Sequence, residues 1–132
     1  MIREPLSYSA RFDLAALTSV RRAVETWLSR TGMSHERAGD TTVAVTEMLG
    51  NAIKHGGGSG TVQLSRIARG VRCVINDDGP GLPDRVDRHR APRPAPTAVG
   101  GRGLWLAFAL CTAVQLSSSR HGTQVELIVD VP

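Results

Sequence analysis

The chain has 132 residues, a net charge of +4, and 41% hydrophobic but only 4% aromatic residues. That length holds one domain with one proper hydrophobic core. No apolar run reaches the ~18 residues of a membrane span, and Arg3 and Glu4 put charge where a secretory signal would be apolar, so a single cytoplasmic domain over 1–132 is expected. Every basic residue is arginine except Lys54. None interleaves with aromatics and no helix carries a dense basic face, so the charge argues for phosphate ligands or acidic protein partners and against direct nucleic-acid binding.

Leu6 to Asp13 alternates loosely through Leu6, Tyr8, Ala10 and Phe12 and predicts a first strand. Asp13 is placed to cap the helix that follows. Leu17, Val20, Val24, Trp27 and Leu28 recur there at helical spacing until Thr31-Gly32 ends the element. Ser34 is a plausible N-cap for a long second helix running to about His55, which Gly56-Gly57-Gly58-Ser59-Gly60 stops and follows with a flexible turn.

The residues 61–69 and 71–76 predict a hairpin around Arg69-Gly70, its alternation supplied by Val62, Leu64, Val71, Cys73 and Ile75. Asp77 to Gly81 is a turn. Residues 82–99, polar, charged and rich in proline (Pro83, Pro92, Pro94, Pro96), have no periodicity and predict a mobile loop. A third helix is expected from Gly103 to about Cys111, with Leu104, Ala107, Phe108 and Cys111 on one side. Residues 114–118 and 123–131 close the chain as a second hairpin around Arg120-His121-Gly122. About five strands and three helices predict an α+β fold, one mixed sheet with a helical layer on one face. Cys73 and Cys111 lack metal-ligand spacing and read as buried, reduced thiols.

Three segments carry chemistry. On the second helix, taking Glu47 as zero and ~100° per residue, Asn51 falls at about +40°, Lys54 at about −20°, Asp40 at about +20° and Val43 at about −40°, while Val45, Leu49, Ala52 and Ile53 lie opposite. A polar stripe over an apolar back is usually a solvated face. It also offers an amide oxygen (Asn51) to Mg²⁺ and, one turn away, a carboxylate (Glu47) able to take a proton. In Asp77-Asp78-Gly79-Pro80-Gly81, a carboxylate at a strand end can accept from the exocyclic amine of a base, and glycine lets backbone approach a flat ring; an ordinary turn reads the same way. Gly101-Arg102-Gly103 opens a helix with free N–H groups beside a guanidinium, which suits phosphate. It is not the dinucleotide fingerprint, since Leu106 replaces the third glycine, and no P-loop motif occurs.

Together these residues resemble the GHKL ATPase superfamily of gyrase, histidine kinase and mismatch-repair ATPases. They are most similar to its stand-alone anti-sigma-factor serine/threonine kinases. The stretch 46–56 (Thr-Glu-Met-Leu-Gly-Asn-Ala-Ile-Lys-His-Gly) looks like the N box, 74–81 (Val-Ile-Asn-Asp-Asp-Gly-Pro-Gly) like the first glycine box, and 101–107 (Gly-Arg-Gly-Leu-Trp-Leu-Ala) like the second. The resemblance implies a Bergerat fold, a two-layer α/β sandwich with a mostly antiparallel sheet, and ATP and Mg²⁺ as cofactors. It makes Glu47 the catalytic base, Asn51 the Mg²⁺ ligand, and Asp77 the adenine-binding carboxylate with Gly79 and Gly81 shaping its pocket. Gly101, Arg102 and Gly103, with Leu104 beside them, would meet the phosphates, Lys54 would be a second phosphate contact, and residues 82–100 would form the ATP lid.

The partners implied are a sigma factor and a serine/threonine anti-sigma-factor antagonist, with a second copy of the chain as a further partner. A nucleotide-dependent binding module with little kinase activity is the alternative. Ser34-His35-Glu36 superficially resembles a histidine-kinase phosphoacceptor segment, but twelve residues of one helix put His35 about 18 Å from Glu47.

Overall fold

The computed structural model describes residues 7–79, 107 and 109–131. Strand β1 (Ser7–Asp13) precedes helix α1 (Leu17–Ser29) and helix α2 (His35–His55). Strands β2 (Ser59–Ile67), β3 (Gly70–Asp77), β4 (Ala113–Ser119) and β5 (Gly122–Asp130) follow. They form one five-stranded sheet in the order β1-β2-β3-β5-β4. All its pairings are antiparallel, so the expected mixed sheet is wholly antiparallel among the described residues. Each neighbour pair except β3–β5 is consistent with a short reversal or a helical crossover, and no parallel crossover arises.

Alternation along the strands sorts the sheet into two faces. Ala10, Val62, Ile75, Val125 and Leu116 lie in one cross-strand row, and Tyr8, Leu64, Cys73, Leu127 and Val114 in the next. All of these belong to the core cluster or pack against it. The rows Arg11-Thr61-Asn76-Gln124-Ser117 and Ser9-Gln63-Val74-Glu126-Gln115 face the other way. On the same face Arg72, in the row beyond, reaches Glu126 at 2.8 Å.

The helices cover the apolar face. Helix α1 buries Val20, Val24, Trp27 and Leu28, the positions its periodicity predicts. Helix α2 packs on β2, β3 and α1 and buries Ala38, Thr41, Thr42, Ala44, Val45, Met48, Leu49 and Ala52. Three threonines sit inside this helix without orphaning their hydroxyls: Thr41, Thr42 and Thr46 each donate to the carbonyl four residues back at 2.7 Å. Ser34 is the N-cap and accepts from the Arg37 N–H at 3.1 Å, as predicted.

Several local expectations are corrected. Asp13 does not cap α1: its Oδ1 accepts from Ala16 N–H at 2.9 Å, closing a turn, and Ala16 is the N-cap residue without a side-chain bond. The glycine-rich turn after α2 is shorter than expected. Gly57 and Gly58 take φ of +88° and +94°, whereas Ser59 and Gly60 already pair with Asp13 and Phe12 in the sheet. Gly60 lacks a side chain where the Phe12 ring crosses it, since a Cβ there would lie 2.8 Å from Phe12 Cζ. Of the expected third helix, Ala107, Ala109 and Leu110 are helical and Cys111 N–H donates to Ala107 at 2.9 Å. The rest of that helix and the 82–99 loop lie outside the described residues.

Candidate functional site

The second helix enters the site as a two-sided element. Its back is fully buried at Val45 and Leu49. On its outer stripe Asp40, Val43 and Lys54 are exposed, but Glu47 and Asn51 are half-buried. A purely solvated face would be exposed along its length, so the two residues best suited to catalysis and metal binding are the sheltered ones on the stripe. They stand one helical turn apart, about 6 Å along the axis. Lys54 and His55 occupy the last turn, where positive charge complements the helix C-terminus.

Asp77 is the last residue of β3. It pairs with Gly60 and Thr123, and alternation from Cys73 and Ile75 puts its side chain on the helix-covered face. There the C-terminus of α2 meets it. A Cβ on Gly56 would overlap the Asp77 carboxylate, and a Cβ on Gly79 would overlap the Gly56 backbone. Asp77 Oδ1 also accepts the Gly79 N–H at 3.0 Å. The fold therefore brings the end of the Glu47–Asn51 helix onto the Asp77–Gly79 turn. Asn51 stands about 7.5 Å along the helix axis from Gly56.

The described half of the site fits a magnesium nucleotide in its chemistry. Among the described residues no group of three or more His, Cys, Asp or Glu side chains is placed to hold a metal. One amide oxygen plus a ligand's phosphates suits Mg²⁺, which keeps several waters and few protein ligands. Asp77 provides an acceptor, and the buried backbones of Gly56 and Gly79 pack against each other beside it. Gly81, Gly101, Arg102, Gly103 and Leu104, the other residues singled out in the sequence, lie outside the described residues.

Two further features lie beside this arrangement. An open cleft of about 270 Å³ is lined by Asp77 itself together with Asn76, Ser117, Ser119, His121, Thr123 and Gln124 among others. Asn76, Gln124 and Ser117 are cross-strand partners on the uncovered face, so the cleft combines residues of that face with Asp77 at the strand end. At the far end of α2, an Arg37 Nη2–H donates to the Leu110 carbonyl at 3.5 Å. Burial pushes the nearby Cys111 thiol up to about 11 despite the opposing Arg37 charge, and drives Cys73 higher still. Cys73 is buried as expected, whereas Cys111 is only half-buried, and both are free thiols.

In the sequence Gly56 reads as a helix stop and as the last residue of the stretch 46–56 that resembles the N box. Its contact with Asp77 joins residues twenty-one positions apart, and the one signal for it was a glycine where any C-terminal helix residue would serve.

The family description "Histidine kinase-like ATPase domain" matches residues 10–129. The chain belongs to this family. The match spans the Glu47–Asn51 helix, the Asp77 turn and the closing hairpin, and agrees with the GHKL resemblance of the three boxes. The signal transduction histidine-protein kinase AfsQ2 of Streptomyces coelicolor is 34% identical over 74 residues, which is 52% of this chain but 14% of that protein. The crystal structure of the RsbU and RsbW domains of Rv1364c from Mycobacterium tuberculosis superposes with a TM-score of 0.67 at 23% identity, covering 96% of this chain and 33% of that one. The histidine kinase domain of the blue-light-activated kinase EL346 from Erythrobacter litoralis gives 0.61 at 24% identity, over 89% of this chain and 60% of its own. These likenesses establish the fold, an α+β sandwich with one open antiparallel sheet. No helix among the described residues is long and apolar enough to cross a membrane.

Proposed function

We propose that this domain binds ATP with Mg²⁺ between α2 and the end of β3 and transfers the γ-phosphoryl group to a serine or threonine hydroxyl of an anti-sigma-factor antagonist, while also capturing a sigma factor. The observation that carries this reading is the sheltered pair Glu47 and Asn51 on the helix whose C-terminus rests on Asp77. The M. tuberculosis likeness, over 96% of the chain, supports an RsbW-type assignment.

Asp77 accepts from the exocyclic amine of adenine, and Gly79 and Gly81 are the glycines that the resemblance gives to the base pocket. Asn51 holds the cation, and Lys54 contacts phosphate. The bound Mg²⁺ supplies charge neutralisation at the phosphates, the main requirement of phosphoryl transfer besides positioning. The resemblance gives Gly101, Arg102, Gly103 and Leu104 to the phosphates and residues 82–100 to the ATP lid. Glu47 takes the proton of the incoming hydroxyl as its oxygen bonds to the γ-phosphorus and ADP departs.

Two observations favour a hydroxyl on a partner over His35 as acceptor. His35 is exposed in the first turn of α2, and about 18 Å of the same rigid helix separates it from Glu47. The test is transfer of label from γ-labelled ATP to a purified serine/threonine antagonist, in wild type and in Glu47→Ala. Transfer that disappears in the variant is expected. Sigma-factor capture without any transfer in wild type would overturn the kinase and leave a nucleotide-dependent binding module.

A further inference from the structure

We infer that Gly56 is a positioning residue, the seat that sets the Asp77 carboxylate against α2. The seat is read from contacts alone; the statement that it serves a base-binding carboxylate rests on the nucleotide reading above.

Gly56 is buried, with φ −108° and ψ 25°. Any L residue tolerates that backbone, so conformation does not require glycine. Space does. A Cβ on Gly56 would fall on Asp77 Cγ and Oδ2 and on the Ala52 carbonyl oxygen. From the other side, a Cβ on Gly79 would fall on the Gly56 Cα, carbonyl carbon and oxygen. Helix end, carboxylate and turn thus meet with no room for one methyl group between them.

The contact fixes the carboxylate at two places. Oδ1 is held within its own turn by the Gly79 N–H at 3.0 Å. Cγ and Oδ2 lie over the Gly56 α-carbon. Gly56 is itself tied to the helix, since its N–H donates to the Ala52 carbonyl at 2.8 Å. The same helix carries Asn51 and Glu47, so Gly56 is the point through which Asp77 is registered against them. A ligand that touches both Asp77 and Asn51 reads their separation, and a shift of about 1 Å in such a frame is enough to spoil it. A glycine that looks like punctuation after a helix thereby determines a site dimension.

The test is a double-mutant cycle of Gly56→Ala and Asp77→Ala, read by calorimetric ATP titration and by thermal melting without nucleotide. The Ala52 contact persists in both backgrounds and cancels in the cycle. Gly56→Ala is expected to weaken ATP binding about tenfold in the wild-type background and to have little effect once Asp77→Ala has removed the carboxylate, the non-additivity of residues in contact. Its melting point is expected to fall in the wild-type background and to fall far less in Asp77→Ala. If Gly56→Ala alone does not fold, recovery of folding in the double variant supports the seat. Equal losses in both backgrounds, or a double variant that also fails to fold, would overturn it, whatever happens to ATP. If the melting points are coupled but Asp77→Ala leaves ATP affinity unchanged, the seat stands and the nucleotide role of Asp77 fails.

Discussion

Leu49→Ala beside Glu47→Gln tests whether α2 presents the face assigned to the site. The two positions are adjacent but one, about 200° apart around the helix. Leu49 is 0% exposed in the core cluster with Val45, Leu64 and Ile75, whereas Glu47 is half-buried on the outer stripe. Removing a buried leucine costs about 3–5 kcal/mol, from lost transfer energy and the cavity left behind. The unfolding entropy of ~2.1 cal/mol/K per residue gives about 0.28 kcal/mol/K for this chain. A loss of ~3 kcal/mol therefore lowers the melting point by about 11 °C. Glu47→Gln keeps shape and removes charge from a position outside the core, so it stays within about 0.5 kcal/mol, or ~2 °C. Melting followed by far-UV circular dichroism reads both, and an ATP titration well below the lower midpoint reads the site. Leu49→Ala is expected to keep its ATP affinity within about twofold, because the proposed site is on the other face. A small shift for Leu49→Ala, or one near 11 °C for Glu47→Gln, would mean that α2 buries the opposite side, and the site assignment would fail with it.

Asn51→Ala is expected to abolish Mg²⁺-dependent ATP binding; calorimetry with and without Mg²⁺ checks this, and an unchanged Mg²⁺ dependence would remove Asn51 from the metal's coordination. Ser34→Ala loses the hydroxyl that caps α2 and should cost about 1 kcal/mol, some 4 °C in melting point; no shift would show that α2 does not depend on that cap. Burial raises the Cys111 thiol from 9.0 to about 11. The folded state thus holds its proton more tightly than the unfolded chain does, so this contribution to stability is complete below about pH 9 and is lost as pH rises through about 11. Urea midpoints between pH 8 and pH 11 should fall less steeply in Cys111→Ser than in wild type, and parallel curves would refute the shift.

Most elements were legible because their signals are local. The long apolar period of α2, its Ser34 cap and the alternation of β3 and β5 each declare a structure within a few residues. Asp13 and Gly60 were misread for the same reason. An Asp before a helix can cap it or close the turn ahead of it, and the chain geometry at Ala16 selects the turn. A glycine run reads as a loop until it is known that Phe12 crosses one member of it. Glu47 and Asn51 could be placed on one stripe from spacing alone. That they are sheltered while Asp40 and Lys54 are exposed required the packed fold.

The sequence by itself determined which residues are apolar, at what period, and which side chains carry carboxylate, amide and glycine in box-like order; those are properties of short segments. Only the tertiary structure decided the strand order β1-β2-β3-β5-β4 and the meeting of Gly56 with Asp77. Both depend on which distant backbone surfaces fit together. A glycine's absent side chain has no local signature, and its meaning appears only when another part of the chain occupies the space.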